Sequence, residues 1–164
     1  MIDTPLQNFR FIVALDPGIA YLPPLQAALV ALFPGGAFSE VKGLGGELEV
    51  LAHPEGGNND FVHQLPVRHS WSRIVLSRGV VREPGLWYWY TAGLTQSLGA
   101  RRDGAIILLT PGGTPAMAWI FKGGLAAKWS GPELNGSGNA VAVETLEIAH
   151  QGLLTVPMSP PLVP

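Results

Sequence analysis

The chain has 164 residues, 47% of them hydrophobic and 13% charged, with a formal net charge of −2 and no cysteine. An ordinary soluble domain is about 25% charged, so the surface here must be largely glycine, serine and exposed apolar atoms, or be covered by neighbouring subunits, the reading we favour. Disulfides and thiolate metal sites are excluded, and with Arg101-Arg102 as the one adjacent basic pair a nucleic-acid groove has little electrostatic support.

The 21 glycines and 15 prolines are spread throughout, which keeps elements short and points to antiparallel β structure with many turns. Asn8 to Leu15 reads as a first strand, with Phe9, Phe11, Val13 and Leu15 on one face. Met1 to Arg10 lacks the basic and apolar regions of a secretory signal. The longest helix-compatible apolar stretch, 25–33, is far shorter than the ~20 residues that span a bilayer. The free subunit is therefore expected to be cytoplasmic, without direct membrane insertion.

Residues 17–36 interrupt the strand pattern and read as an insertion. Leu25, Ala28, Leu29 and Leu32 fall at helical spacing after Pro24, which predicts a short helix over 24–33. Strands follow at Phe38 to Val41 and Glu47 to Ala52, with Gly43-Leu44-Gly45-Gly46 as the hairpin connection between them. The stretch from His53 to Ser70 is turn-rich, with Phe61-Val62 as a possible short pair. Ser72 to Gly79 is a further strand. The main helix is predicted over 84–98, opened by Pro84 and ended by Gly99. Its packed side carries Leu86, Trp89, Tyr90, Gly93, Leu94 and Ser97. Trp89 and Tyr90 then anchor it, and Trp87 or Tyr88 faces outward.

Gly104 to Leu109 is a doubly covered strand. Met117 to Phe121, Leu125 to Trp129 and Ala140 to His150 complete a set of about eight strands. In the last of these the apolar parity changes between Val141-Val143 and Leu146-Ile148, which predicts a bulge near Glu144. The expected fold is mainly β: a small antiparallel barrel or sandwich, closed or nearly closed, with one packed helix. Residues 1–156 form its single domain, and 157–164 a proline-rich extended tail.

Candidate chemistry fails on spacing. His53, His63 and His69 lie near Glu55 and Asp60, but without the i, i+4 pairing of a zinc protease. Gly43 to Gly46 lacks the Lys-Ser/Thr ending of a phosphate loop, and Gly136-Ser137-Gly138 is not a nucleophile elbow. Glu144 and Glu147 lie three apart in a strand, where a solvated or interface role fits better than an acid–base pair. No catalytic residue, metal or cofactor is assigned.

The motifs Asn8-Phe9-Arg10-Phe11, Phe38 to Leu44, Glu55-Gly56-Gly57-Asn58-Asn59-Asp60, Arg101 to Leu109, Lys128-Trp129-Ser130-Gly131-Pro132-Glu133-Leu134-Asn135 and Glu144-Thr145-Leu146-Glu147 occur in this order. Together the pattern resembles the tail tube proteins of contractile phage tails and extracellular contractile injection systems, relatives of the type VI secretion tube protein. The resemblance implies a structural subunit, not an enzyme, that forms six-membered rings stacked into a hollow tube for cargo or DNA. Its partners would be itself and the sheath, baseplate and spike proteins of the same particle, and it would end up in a phage tail or injection particle. Assembly contacts are expected at Glu40, Glu55, Gly56, Gly57, Asn58, Asn59, Asp60, Trp87, Tyr88, Lys128, Trp129, Asn135 and Glu144. Two other readings remain open: a tube-initiator ring at the baseplate, and a monomeric small β-barrel that binds a ligand.

Overall fold

The computed structural model describes Leu6 and residues 10–15, 38–57, 59–82 and 84–158. The insertion 17–36 with its expected helix lies outside these residues, as does the tail beyond Met158. Within them the order is β1 (Phe11–Leu15), β2 (Phe38–Lys42), β3 (Gly46–His53), β4 (His63–Trp71), β5 (Ile74–Gly79), α1 (Gly85–Gln96) and a 3-10 turn (Ser97–Ala100), then β6 (Arg102–Leu109), β7 (Pro115–Ser130), β8 (Val143–Ala149) and β9 (Gly152–Pro157).

The long strand β7 organises the sheet. One of its edges pairs with β6. Its other edge carries β8 and β9 as one interrupted ladder, in the same register on both sides of a corner: Leu125↔Ala149 before it and Lys122↔Gly152 after it. Adding β1 beside β6, and β5 then β2 beside β8, gives two half-sheets that share β7. The bend falls at Gly123-Gly124. A Cβ on Gly124 would sit 2.7 Å from Phe121 Cε2 and 2.9 Å from Arg102 O, too close for any side chain.

Folding the sheet at this corner brings the two halves face to face over one core. Val13, Leu15, Ile106 and Phe121 come from one half and Ile74, Leu76, Leu146 and Ile148 from the other, and Leu86 and Trp89 of α1 join them. Trp89 is buried, and its Nε1–H bonds Ala100 O at 2.8 Å, so the helix is held by packing and by a satisfied polar tip. Tyr90 packs beside it, as expected. Leu94, expected on the packed side, is 71% exposed: the helix turns its last apolar residues outward.

The fold is mainly β and antiparallel, but the sheet does not close into a barrel. Among the described strands β1 and β2 end the path unpaired to each other. Several element expectations need correction. Gly43 to Gly46 is not a hairpin connection, because β2 pairs with β5 while β3 pairs with β4. The stretch 53–70, read as turns, contains β4. Its strand pattern is masked by Pro66, which falls where the register shifts opposite Glu49/Val50. Met117 to Phe121 and Leu125 to Trp129 are one strand continuing through the bend. Residues after His150 form β9, and Pro157, assigned to the tail, is its last residue.

No bulge lies at Glu144 in the β5–β8 pairing, which runs unshifted from Val143 to Ile148. The register shift of this sheet region is on β7, between Ala126 and Lys128. The parity change has another cause: Glu144 faces inward with Leu146 and Ile148, while Val141 and Val143 face out.

Candidate assembly surfaces

Strands β3 and β4 form a two-stranded hairpin that pairs with nothing else among the described residues. Every residue of both strands is exposed except the half-buried His63. Leu48, Val50, Leu51, Leu65 and Val67 all stand in the open. A lone hairpin is marginal in water, and clustered exposed apolar side chains mark an interaction site.

The hairpin's tip carries the expected loop. Glu55 Oε2 meets His63 Nε2 at 3.0 Å, bracing the turn across its ends. Gly56, Asn59 and Asp60 are exposed beside Gly57, whose φ of 89° is a glycine conformation; Asn58 lies outside the described residues. At the root, Gly43 has φ +81°, and a Cβ there would lie 1.9 Å from Arg73 O. The chain can leave the body at this angle because residue 43 has no side chain. The root is closed by the Ser72 N–H, which donates to Gly45 O at 3.0 Å.

A second feature runs through the body. Arg78 is fully buried, and its Nε donates to Glu144 Oε1 at 2.7 Å. Trp129 Nε1 donates to the other carboxylate oxygen at 3.0 Å. The Arg78 guanidinium lies 5.8 Å from the Phe38 ring centroid, and the Trp129 ring meets Trp87 edge-on at 4.8 Å. A chain of contacts thus connects edge strand β2, through β5, β8 and β7, to helix α1. Glu144 is internal: buried and paired, it has no solvated role. Its partner was not legible from the sequence, because Arg78 stands on another strand 66 residues away.

Trp87 and Tyr88 both face outward, Tyr88 at 64% exposure. Lys128 Nζ pairs with Glu147 Oε1 at 3.5 Å, and Glu40 on β2 pairs with Lys42 at 2.8 Å, both on the outside. Asn135 Oδ1 accepts from Ser137 N and Ser137 Oγ, at 3.1 and 2.8 Å, folding the loop after β7 on itself. The expected contact residues that are described therefore do not form one patch. They divide among hairpin tip, helix, β2 edge, strand β7 and the loop after it, with Glu144 inside. Among the described residues no group of three or more His, Cys, Asp or Glu could hold a metal.

The outermost strands of the half-sheet β1-β6-β7-β9 are a further feature that sequence reading missed. The edges of β1 and β9 have no partner strand among the described residues. Each neighbouring pair in this half-sheet is antiparallel, so β1 and β9 run antiparallel to each other. The hint in the sequence was Leu153-Leu154-Thr155-Val156, a β-rich run after a two-residue turn.

A family model described as T4-like virus tail tube protein gp19 matches residues 7–154. No curated protein matches the sequence. Among solved structures, a chain of the 6-fold symmetrised anti-feeding prophage baseplate is 25% identical with a TM-score of 0.76, over 95% of this chain and 98% of that one. A chain of an extracellular contractile injection system, the PVC sheath–tube complex in the extended state, is 19% identical with a TM-score of 0.76, over 96% and 95%. A crystal structure of an Hcp protein shares the fold more distantly, with 7% identity and a TM-score of 0.53 over 90% and 99%.

Proposed function

The chain belongs to the T4-like virus tail tube protein family, and from that premise we propose that it forms closed rings that stack into the inner tube of a contractile injection particle. Its role is structural. The observation that carries the ring is the pair of free edges. A β9 edge of one copy set against the β1 edge of the next continues an antiparallel sheet without a break. Such a contact is heterologous and closes when the rotation allows, removing the exposed edges that invite aggregation. Six copies of a four-stranded half-sheet would make a wall of about 24 strands, roughly 40–50 Å across at the backbone. That width suits passage of cargo.

In this arrangement the β3–β4 hairpin reaches beyond its own subunit, and its apolar side chains and tip loop contact the adjacent ring. Glu40 on the β2 edge, Trp87 and Tyr88 on α1, and Lys128, Trp129 and Asn135 contribute lateral or sheath-facing contacts. Sheath, baseplate and spike proteins of the same particle complete the assembly, which begins in the cytoplasm. The 25% identity to a chain of a baseplate structure favours one second reading, an initiator ring joining tube to baseplate. Negative-stain microscopy separates the two: bulk subunits grow long tubes, whereas an initiator stops at one or two rings.

The absence of native cysteine gives a direct test of the ring. Cysteines placed together at Ile12 on β1 and Leu154 on β9, with neighbouring registers scanned, should oxidise to a ladder of linked copies ending at the ring size. Oxidation that yields only monomers at every register would remove this edge from the contact. Deleting Glu55 to Asp60 should leave the subunit's circular dichroism and single rings intact while shortening tubes at least several-fold. Tubes of normal length from that deletion would free the tip loop from stacking.

A further inference from the structure

The corner between β8 and β9 holds a histidine that the proposed assembly does not use. His150 Nδ1 lies 3.1 Å from Gly152 O, and Nε2 lies 3.0 Å from Ser72 O. Both partners are backbone carbonyls, which only accept, so each ring nitrogen needs its own proton to make its bond. A neutral imidazole carries one N–H, and its other nitrogen then turns a lone pair toward a carbonyl oxygen. Imidazolium carries two and satisfies both acceptors with charge-assisted bonds.

The two carbonyls belong to different bodies. Gly152 is at the sheet corner, in β9. Ser72 is the root of the projecting hairpin, directly after Trp71, and its N–H is already committed to Gly45 O. The His150 ring also lies between Trp71 of the hairpin, at 5.9 Å, and Phe121 of the core, at 6.2 Å. Trp71 in turn meets His69 edge-on at 4.3 Å. This one ring therefore joins hairpin to body through both hydrogen bonds and ring contacts.

The charged groups on the surrounding elements are otherwise engaged. Arg73 beside β5 and Glu147 on β8 pair at 3.2 Å, and Lys128 on β7 also reaches Glu147, at 3.5 Å. Lys122 on β7 faces Asp103 on β6 at 3.9 Å. His69 on β4 is a further titratable neighbour, reached through the Trp71 ring. Among the described residues none of these hydrogen-bonds the His150 ring, so its two bonds depend on its own proton count.

We propose that His150 is a proton-operated latch on the β3–β4 hairpin. With both nitrogens protonated, the hairpin root is tied to the sheet corner and the hairpin is held at one angle to the body. With the ring neutral and its one proton on Nδ1, facing Gly152 O, the Nε2 tie to Ser72 O is lost and the hairpin moves about the glycine-rich segment 43–46. Histidine is the side chain that ordinarily changes charge between about pH 5 and 8. The latch belongs to the subunit itself; its consequence for stacking rests on the proposed tube function.

The test uses the full chain with 15N-labelled histidine. At about pH 5.5 the His150 ring nitrogens should both show protonated, hydrogen-bonded shifts, and near pH 8.5 the proton on Nε2 should be gone. Protection factors of the root amides Glu47, Ser70 and Ser72, which face the partner strand of the hairpin, corrected for intrinsic exchange, should fall roughly tenfold over that rise, the worth of one such bond. In His150→Gln the pH dependence of protection should vanish. A ring bearing one proton at the acid end, root protection indifferent to pH, or a glutamine variant that keeps the dependence would each overturn the latch. The ring shifts need no variant, so a misfolded glutamine form leaves the test intact. Oligomer size recorded on the same samples separates the two ideas: a working latch in a protein that never forms rings defeats the tube reading alone, and rings with an unresponsive root defeat the latch alone.

Discussion

Replacing Arg78 by methionine should lower the unfolding free energy by about 3–5 kcal/mol, because it strands the Glu144 carboxylate in the core. Arg78 is fully buried, and Glu144 is 5% exposed. In the variant the carboxylate keeps its bond from Trp129 Nε1 but loses the charge that compensates for its removal from water. Glu144→Leu alone should cost a similar amount by removing the carboxylate that neutralises the buried guanidinium. The double variant, Arg78→Met with Glu144→Leu, should recover most of the loss and could exceed the parent by about 1–4 kcal/mol, since an apolar pair of similar volume carries no desolvation cost. Trp129 is half-buried, so its orphaned N–H can turn to water. Denaturant unfolding of all four proteins at one protomer concentration completes the cycle. Additive losses in the double variant would mean that the two charges do not act as a pair.

Thr155→Pro should abolish ring formation while leaving the isolated subunit within about 1 kcal/mol of the parent. The Met158 N–H donates inward to Ala116 O at 3.0 Å. Strand periodicity then turns the N–H groups of residues 156 and 154 toward β7 and those of 155 and 153 toward the open edge. Pro157, which has no N–H, already stands at an outward position, so the subunit tolerates proline in this parity. Proline at 155 removes a donor and adds a ring only where a neighbouring β1 would pair. Light scattering should report rings or tubes for the parent and monomer for the variant, with closely similar melting curves at low concentration. Rings that persist undiminished would place the lateral contact elsewhere, with α1 and its exposed Trp87 and Tyr88 as the next surface to examine.

Much of the architecture was legible because it is local. Alternation marked β1, β3 and β5, the continuous apolar run marked β6, and Pro84 with Gly99 bracketed α1 and its terminal turn. The split of the aromatic run into anchors and outward residues followed from helical geometry, and Trp89 and Tyr88 stand as that geometry requires. What failed was pairing. Gly43 to Gly46 looks like a hairpin turn, yet the strands on its two sides belong to different sheets. Local sequence reports that a chain turns, and only the partners show where it goes.

The family, the fold class and the absence of charge enough to cover a free globule were determined by the amino-acid sequence, since ordered motifs, strand periodicity and composition need no neighbours to be read. The bend of β7, the half-open sheet with its β1 and β9 margins, the projecting hairpin and the inward turn of Glu144 toward Arg78 were decided by tertiary structure. The reason is physical. A strand's edge is free or filled according to backbone groups contributed from distant parts of the chain, and a charge is tolerable inside only where an opposite charge, here 66 residues away, arrives to meet it.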